Sequence, residues 1–147
     1  MSKYVTTGSM ALIAADTVLS VISAATCRPC IADLVLSSGS TPNDYSADFQ
    51  LQRFSADGTG TAVTPQPLDF NDRAAVATSK HTYTVEPTLT ANEVLLRIAH
   101  NLRATVRWVA APGYELKIPA LAGDGIALLC NAVSTQFTEL ATIFFEE

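Results

Sequence analysis

The sequence predicts an all-β protein, an antiparallel β-sandwich with a long ordered loop and an N-terminal arm. Apolar and polar residues alternate with a period of two in several short segments, most clearly at Ala104, Val106 and Trp108. These segments recur about every 8–12 residues and are separated by clusters of Gly, Pro, Asn and Asp. They number roughly eight to ten, which suits two packed sheets and makes a jelly roll one candidate layout.

Residues 103–119 predict a β-hairpin around the only tryptophan. The alternation that ends at Trp108 is followed by Ala-Ala-Pro-Gly, a turn signal. A second alternation then runs through Tyr114, Leu116 and Ile118. We therefore expect Trp108 on the buried face of a sheet, beside Leu116 or Tyr114.

The beginning of the chain allows two interpretations. Residues 1–16 are predicted to form an arm or a lead-in strand, and residues 17–147 a single β-sandwich domain. Residues 10–25 are ambiguous because their alanines favour a helix whereas Thr17 and Val18 favour a strand. We favour a strand over residues 17–23, since the rest of the chain is predicted to be β.

Residues 56–80 are predicted to be an ordered excursion rather than a disordered linker. They lack clean periodicity, but Val63, Leu68 and Phe70 are apolar and need a surface to cover them. The segment should pack on its own sheet or on a neighbouring subunit. Asp69 or Asn71 could cap a short helix over residues 72–78.

Composition narrows the class of protein. The 147 residues suit one domain, and only 16% of them are charged, against about 25% in a typical soluble domain. A surface with few charges favours an oligomer or an assembly component. The net charge of −5 argues against nucleic acid as a partner. No apolar run reaches about 18 residues, so no membrane contact is expected, and the start of the chain does not resemble a signal peptide. Synthesis and retention in a cytoplasm are therefore expected.

The sharpest local motif is Cys27-Arg28-Pro29-Cys30. A plain turn with inert thiols is favoured, because a strand rather than a helix is predicted to follow it. A local disulfide, a weak metal site completed by His81, His100 or Cys130, and thiol exchange remain alternatives. The sequence leaves open whether Cys27 and Cys30 are paired.

Other chemical signals are weak. The segment at Gly58-Thr59-Gly60 lacks the rest of a phosphate-binding loop and is interpreted as a flexible loop. Asp69, Asn71 and Asp72 do not have the spacing of a helix–loop–helix calcium site. No serine has a nucleophile-elbow context. The sequence therefore predicts no enzyme, no catalytic residue, no cofactor and no metal, and Glu146-Glu147 is interpreted as a solvated tail.

Several turn and strand segments resemble a family of small virion structural proteins of tailed bacteriophages. The resemblance is carried by four segments within roughly residues 45–147: Gly58-Thr59-Gly60-Thr61-Ala62-Val63-Thr64-Pro65, Glu86-Pro87-Thr88, Arg107-Trp108-Val109-Ala110-Ala111-Pro112-Gly113-Tyr114-Glu115-Leu116 and Gly125-Ile126. It implies a virion component, and the size and all-β pattern point to a capsid decoration (cement) protein. Such proteins commonly sit as trimers over capsomer junctions.

This resemblance sets the functional expectation. The protein should lie on the capsid surface after synthesis in the bacterial host cytoplasm, with the major capsid protein and copies of itself, as a homotrimer, for partners. Another virion part (tail, fibre or head–tail joining protein) and a carbohydrate-binding β-sandwich are the alternatives. The candidate subunit or capsid contacts lie in the arm and around the long loop: Tyr4, Val5, Phe54, Val63, Leu68, Phe70 and Arg73.

Overall fold

The computed structural model describes residues 1–13, 15–132 and 135–147, and it confirms the all-β prediction. The parts of the predicted segments that fall on residues 14, 133 and 134 lie outside the described residues. The strands are β1 (Lys3–Leu12), β2 (Thr17–Ile22), β3 (Cys30–Ser38), β4 (Ser46–Ala56), β5 (Thr59–Val63), β6 (Gln66–Pro67), β7 (Thr78–Val85), β8 (Thr88–Asn101), β9 (Val106–Val109), β10 (Leu116–Lys117), β11 (Gly125–Ala132) and β12 (Phe137–Glu146).

These strands form two antiparallel sheets that pack against each other. Sheet A has the order β10-β3-β12-β1-β6, and β9 also pairs with β3. Sheet B has the order β5-β7-β2-β11-β4-β8. The prediction of a β-sandwich is confirmed, and the jelly-roll layout stays a prediction. Within the described residues the chain forms no helix that could cross a membrane.

The core lies between the sheets and follows from the period of two. On β12 the alternate residues are buried and the residues between them are exposed or half-buried; the buried ones are Phe137, Glu139, Ala141, Ile143 and Phe145. On β2 all six residues are buried, which suits its position between β7 and β11. The preference for a strand over a helix at residues 17–23 is therefore confirmed.

The first residues of the chain form a strand within sheet A. All of β1 pairs with β12, in a register that runs from Lys3 opposite Glu146 to Leu12 opposite Phe137. Tyr4 is fully buried and its ring stacks on Phe145 with 5.5 Å between the centroids. The strand is thus part of the sandwich core and not an appendage to it.

The predicted hairpin at residues 103–119 is wrong. Both β9 and β10 run antiparallel to β3 and pair with successive parts of it, so they are two pieces of one edge strand. Between them the chain loops outward in a turn closed by a 2.9 Å hydrogen bond from Tyr114 N–H to the Ala111 carbonyl. Trp108 is half-buried against the core as expected, but Tyr114 is 77% exposed. The alternation identified both extended segments and could not identify their partner strand.

Residues 56–80 are ordered and pack on their own sandwich, although the predicted helix over residues 72–78 is wrong. The segment contributes β5 to sheet B, crosses to sheet A as β6, and returns to sheet B as β7. The Asp69 carboxylate accepts a 2.9 Å hydrogen bond from Asn71 N–H. This side chain therefore closes a tight turn instead of capping a helix, which is a common alternative use of Asp.

A histidine and a glutamate meet between the two sheets. His100 on β8 and Glu139 on β12 are both buried, and His100 Nε2 lies 3.2 Å from Glu139 Oε1. The ring of His100 stacks on Phe49 and its Nδ1 lies 3.1 Å from the Asn101 carbonyl oxygen. The hydrogen bond with Glu139 raises the pKa of His100, and burial raises the pKa of Glu139. The pair links the sheets through a bond whose strength depends on protonation.

We expect this pair to make stability depend on pH. Because the folded-state pKa of His100 is raised, its contribution is complete below the unfolded pKa of about 6.5 and is lost as the pH rises through the folded value. The free energy of unfolding, measured by denaturant titration, should therefore fall as the pH rises above about 6.5. Glu139→Gln removes the carboxylate that raises the pKa, so this fall should become shallower.

His100→Gln is the matched control. It removes the titrating group itself, so the free energy of unfolding should vary less with pH over the same interval. Either substitution should also lower stability, by about 3–5 kcal/mol if the remaining partner stays charged and buried. A Glu139→Gln variant that keeps the wild-type pH slope would contradict this assignment.

Candidate interaction surface

An exposed apolar turn stands out on the surface, at residues 68–73 between β6 and β7. We call it the Phe70 turn. The side chain of Phe70 is 97% exposed and that of Leu68 is 53% exposed. The backbone is nevertheless held, because Leu68 N–H donates to the Lys3 carbonyl at 2.8 Å and Asp72 N–H donates to the Asp69 carbonyl at 3.0 Å. A defined turn thus presents a large aromatic side chain to solvent.

The link behind this turn is anchored by Glu147. Its side chain has no exposed surface, and its two carboxylate oxygens accept hydrogen bonds from Val76 N–H at 2.7 Å and Ala77 N–H at 2.9 Å. Arg73 Nη2 lies 3.8 Å from the same carboxylate, and the hydroxyl of Tyr4 donates to the Arg73 carbonyl at 3.2 Å. Two backbone donors and one cation therefore fix this stretch. The interpretation of Glu147 as part of a solvated tail is wrong.

The thiol of Cys27 also donates to the Glu147 carboxylate. Burial is the main reason that the pKa of the Cys27 thiol and that of the Cys30 thiol are raised. Since the thiolate is the reactive form, a raised pKa opposes thiol exchange. No disulfide joins Cys27 to Cys30 in this structure. The open question of their pairing is answered here by two buried thiols.

A groove of about 450 Å³ crosses the outer face of sheet A next to the Phe70 turn. Leu68 lines it on the side of β6 and Val109 on the side of β9, and Phe144 contributes apolar surface between them. Its volume falls within the range of about 300–1,000 Å³ that is usual for binding clefts. Because Leu68 belongs to both, the groove and the turn are neighbours on one face of the molecule.

The polar groups of the groove are only partly paired. Arg107 forms a two-pronged ion pair with Asp33, with Nε at 2.9 Å and 3.1 Å from the two carboxylate oxygens. The Glu115 carboxylate accepts a 3.0 Å hydrogen bond from Gly113 N–H, and backbone hydrogen bonds of this kind lower its pKa. Lys3 lies opposite Glu146 in the pairing of β1 with β12 but makes no ion pair with any described residue. Lys3 therefore lies in the same groove as the carboxylates of Glu115 and Glu146 without a direct ion pair to either.

Of the seven predicted contact residues, three lie in the Phe70 turn, two lie on β1 and two lie elsewhere. Leu68, Phe70 and Arg73 are exposed together in the Phe70 turn, and half-buried Val5 lies on the outer face of sheet A. Tyr4, which is buried, supports the turn from beneath. The remaining two residues lie on strands of sheet B, Phe54 on β4 and Val63 on β5.

Two of these predicted contacts need correction. The side chains of Tyr4 and Phe54 are buried, so neither is available to a partner. Phe54 packs over Gly125 on the neighbouring strand, where an added Cβ would come within 2.2 Å of its ring. An aromatic residue before a long loop looked exposed in the sequence, but its position against a glycine could not be read from the sequence.

The other chemical candidates have structural explanations. The loop at Gly58 is tied down, because Lys80 Nζ forms an ion pair with Asp57 and donates to the Gly58 carbonyl at 2.9 Å. Both contacts come from the same lysine side chain on β7. Among the described residues, no group of three or more His, Cys, Asp or Glu side chains could hold a metal ion.

The sequence did carry a signal for the buried carboxylates that were missed. Glu139 and Glu147 are in phase with Phe137, Ala141 and Phe145, so a strict period of two places both on the buried side of β12 and its continuation. The rule that carboxylates are rarely buried concealed this signal. Which donors would satisfy these two carboxylates could not be predicted, because the donors come from distant segments.

Removing the Glu147 carboxylate should loosen the link behind the Phe70 turn. Glu147→Ala leaves two buried backbone N–H groups without an acceptor, so we expect a loss of about 2–4 kcal/mol in the free energy of unfolding. Hydrogen exchange should become faster at the amides of Val76 and Ala77.

Glu146→Ala is the control, because Glu146 is half-buried and accepts no hydrogen bond from this link; its effect should stay within about 0.5 kcal/mol. Equal exchange rates at both amides in wild type and Glu147→Ala would show that this carboxylate is not the anchor.

The geometry of this surface is the evidence that bears on function. Its distinguishing parts are an anchored aromatic turn and an adjoining groove with an unpaired lysine. Comparisons of the chain with protein-family models, with curated proteins and with solved structures found no match.

Proposed function

We propose that the protein is a structural component of a tailed-bacteriophage particle, a capsid decoration protein that binds the outer shell and stabilises it. The observation that carries the proposal is the Phe70 turn, an anchored loop with an almost fully exposed aromatic side chain. That the particle is a tailed bacteriophage is inferred from the sequence resemblance to small phage virion proteins. The proposed partners are the major capsid protein and further copies of this chain, as a homotrimer on the capsid surface.

An exposed aromatic residue on a fixed loop is better explained as part of a contact surface than as a side chain that stays in solvent. Aromatic side chains provide much of the binding energy at protein interfaces, where a few central residues dominate. Anchoring by Glu147 and by the Asp69 turn means that little conformational freedom remains to be lost on binding. The turn therefore has the chemistry and the rigidity of an interface anchor.

A modest contact of this kind is sufficient on a symmetric shell. Each copy contributes one small apolar contact, and repetition around the particle multiplies the overall stability through effective concentration. The low charged fraction of 16% agrees with a protein that covers part of its surface with partners. Stabilisation then requires shape and buried area, with no chemical step.

A carbohydrate-binding function is the second candidate, and one observation favours it. Tyr114 is 77% exposed beside Glu115, which lines the groove. An exposed aromatic ring next to a carboxylate can stack on a sugar and accept hydrogen bonds from it. Trp108 does not add to this surface, because its ring packs against the core.

We expect the purified protein to co-sediment with phage shells that lack their decoration protein, in a copy number that scales with the number of capsid subunits. Phe70→Ser should weaken this binding by at least about tenfold, as expected for an interface anchor worth more than about 1.4 kcal/mol. The variant should stay folded, since the side chain is exposed in the free protein.

Val85→Ser is the matched control, because Val85 is an exposed aliphatic residue on β7 and far from the Phe70 turn in the fold. Binding restricted to a few copies per particle would favour a tail or joining protein. Failure of the folded wild-type protein to bind shells, with glycan binding that is lost in Tyr114→Ala, would replace the proposal by the carbohydrate-binding function.

A further inference from the structure

We propose that the two open edges of sheet B pair between copies of this chain, β8 of one copy with β5 of the next, and close three copies into a ring. The pairing rests on the proposed function in one respect, the homotrimer, and supplies the contact that holds it together. The Phe70 turn stays free to meet the shell, because it lies between β6 and β7 and belongs to neither edge.

The edges of the two sheets differ in how they are protected. One edge of sheet A consists of β9 and β10, with four and two residues, and the other begins with the two-residue β6. Beyond β6, the Ser9 carbonyl on β1 accepts a 3.3 Å hydrogen bond from the Thr82 hydroxyl. Short pieces and occupied backbone groups hinder the addition of a further strand. Sheet B ends instead in β8, with 14 residues, and in β5, with five, and neither has a second neighbouring strand among the described residues.

The backbone groups on the open side of β8 can be identified from the ladder with β4. Leu102 N–H donates to the Tyr45 carbonyl at 3.1 Å and continues this ladder, which is regular over residues 96–101 of β8. Alternate residues of an antiparallel strand bond to the same neighbour, so the even-numbered residues of this stretch turn their backbone groups to β4. Arg97 and Ala99 therefore turn their N–H and C=O groups to the open side.

The open side of β5 follows from the same alternation. Ser23 N–H donates to the Asp124 carbonyl at 2.8 Å, which fixes the residues of β2 that bond to β11 and those that bond to β7. Carried through the registers of β2 with β7 and of β7 with β5, this alternation turns the N–H and C=O groups of Ala62 away from β7. Each edge thus offers a backbone donor and acceptor on an exposed alanine, Ala62 on β5 and Ala99 on β8.

The strand directions suit a ring of identical contacts. All neighbours in sheet B are antiparallel and the sheet has six strands, so β5 and β8 run in opposite directions. A copy rotated about an axis parallel to the strands therefore presents its β5 antiparallel to β8, which is the more stable arrangement of two strands. Repetition of this head-to-tail contact closes a ring in which every edge of sheet B is paired. A two-fold dimer through β8 alone would leave β5 open.

The side chains of the two edges match in this arrangement. Ile98 on β8 and Val63 on β5 are half-buried, and each lies opposite a buried residue of its neighbouring strand. Both therefore point to the side of sheet B that faces sheet A. In the antiparallel register that pairs Ala62 with Ala99, Val63 falls opposite Ile98. The two aliphatic side chains then form a cross-strand pair and cover each other.

The charges at the two edges permit this contact. Free charges on an edge strand oppose its pairing with another chain. β5 contains no charged residue. In the regular stretch of β8, the charge of Arg97 is balanced by an ion pair with Asp48 on β4 of the same copy. The pairing therefore brings no unbalanced charge against another.

The test is the mass of the protein in solution, measured by sedimentation equilibrium without shells. The wild type should approach three times the monomer mass of 15.6 kDa as the concentration rises. Ala99→Pro and Ala62→Pro each remove one outward N–H, which an edge strand tolerates because no strand of the same copy bonds to it. Each should raise the dissociation constant of the ring at least about tenfold. Ala99→Ser and Ala62→Ser are the matched controls, since they keep the N–H and should keep the wild-type mass.

A mixture of the two proline variants tests whether the contact is head-to-tail. Ala99→Pro keeps an intact β5 and Ala62→Pro keeps an intact β8, so one contact can form between them but no ring can close. The mixture should therefore reach twice the monomer mass at a concentration where each variant alone is monomeric. Should a proline variant not fold, hydrogen exchange in the wild type replaces it: the amides of Ala62 and Ala99 should be protected in the ring and exchange rapidly after dilution to monomer.

Four results would overturn the ring: a wild type that never exceeds a dimer, a folded proline variant with the wild-type mass, a mixture that stays monomeric, or unprotected amides at both alanines at high concentration. Co-sedimentation with shells is scored separately. A monomer that binds shells through Phe70 would keep the shell contact and remove the ring. A ring with the pattern above, in a protein that ignores shells, would keep the strand pairing and remove the phage function.

Discussion

The structure depends on the pairing of β1 with β12 along the full length of β1. These two strands form the centre of sheet A, and each carries core residues on its inner face. Because they come from opposite ends of the sequence, the pairing is a highly non-local contact that spans almost the whole chain. The backbone groups of Ser2 and Glu147 extend the same ladder by two further hydrogen bonds. The position of Glu147, and through it the position of the Phe70 turn, follows from this register.

β12 and the residue after it carry two buried carboxylates, Glu139 and Glu147, and different groups satisfy their hydrogen-bonding capacity. Glu147 meets two backbone N–H groups and the thiol of Cys27, so its hydrogen-bonding capacity is used by groups that do not titrate near neutral pH. Glu139 meets a histidine, and one of its oxygens accepts no hydrogen bond from the described residues. A buried ionisable pair is costly to keep and more costly to break. The interior is therefore sensitive to protonation at the sheet-to-sheet link.

The parts of the fold that depend on local periodicity could be predicted from the sequence, and those that depend on distant partners could not. Alternation identified the segment around Trp108, and the β character of the rest of the chain decided the strand at residues 17–23. It did not reveal that β9 and β10 share β3 as a partner, because strand pairing is decided by the core as a whole. The candidate surface shows the same division: Leu68 and Phe70 were found as apolar residues in an irregular segment, whereas their anchor came from residue 147.

The loop between β9 and β10 affects how readily the protein can aggregate at high concentration. An uninterrupted edge along β3 would offer a long row of unpaired backbone groups to any neighbour, and rows of this kind nucleate fibrous aggregates. Here the edge is divided into pieces of four and two residues, with Gly113 in a left-handed conformation at the interruption. This edge of sheet A therefore offers a neighbouring molecule only short lengths of backbone to pair with. In a chain of which only 16% is charged, this interruption limits strand-to-strand association at that edge.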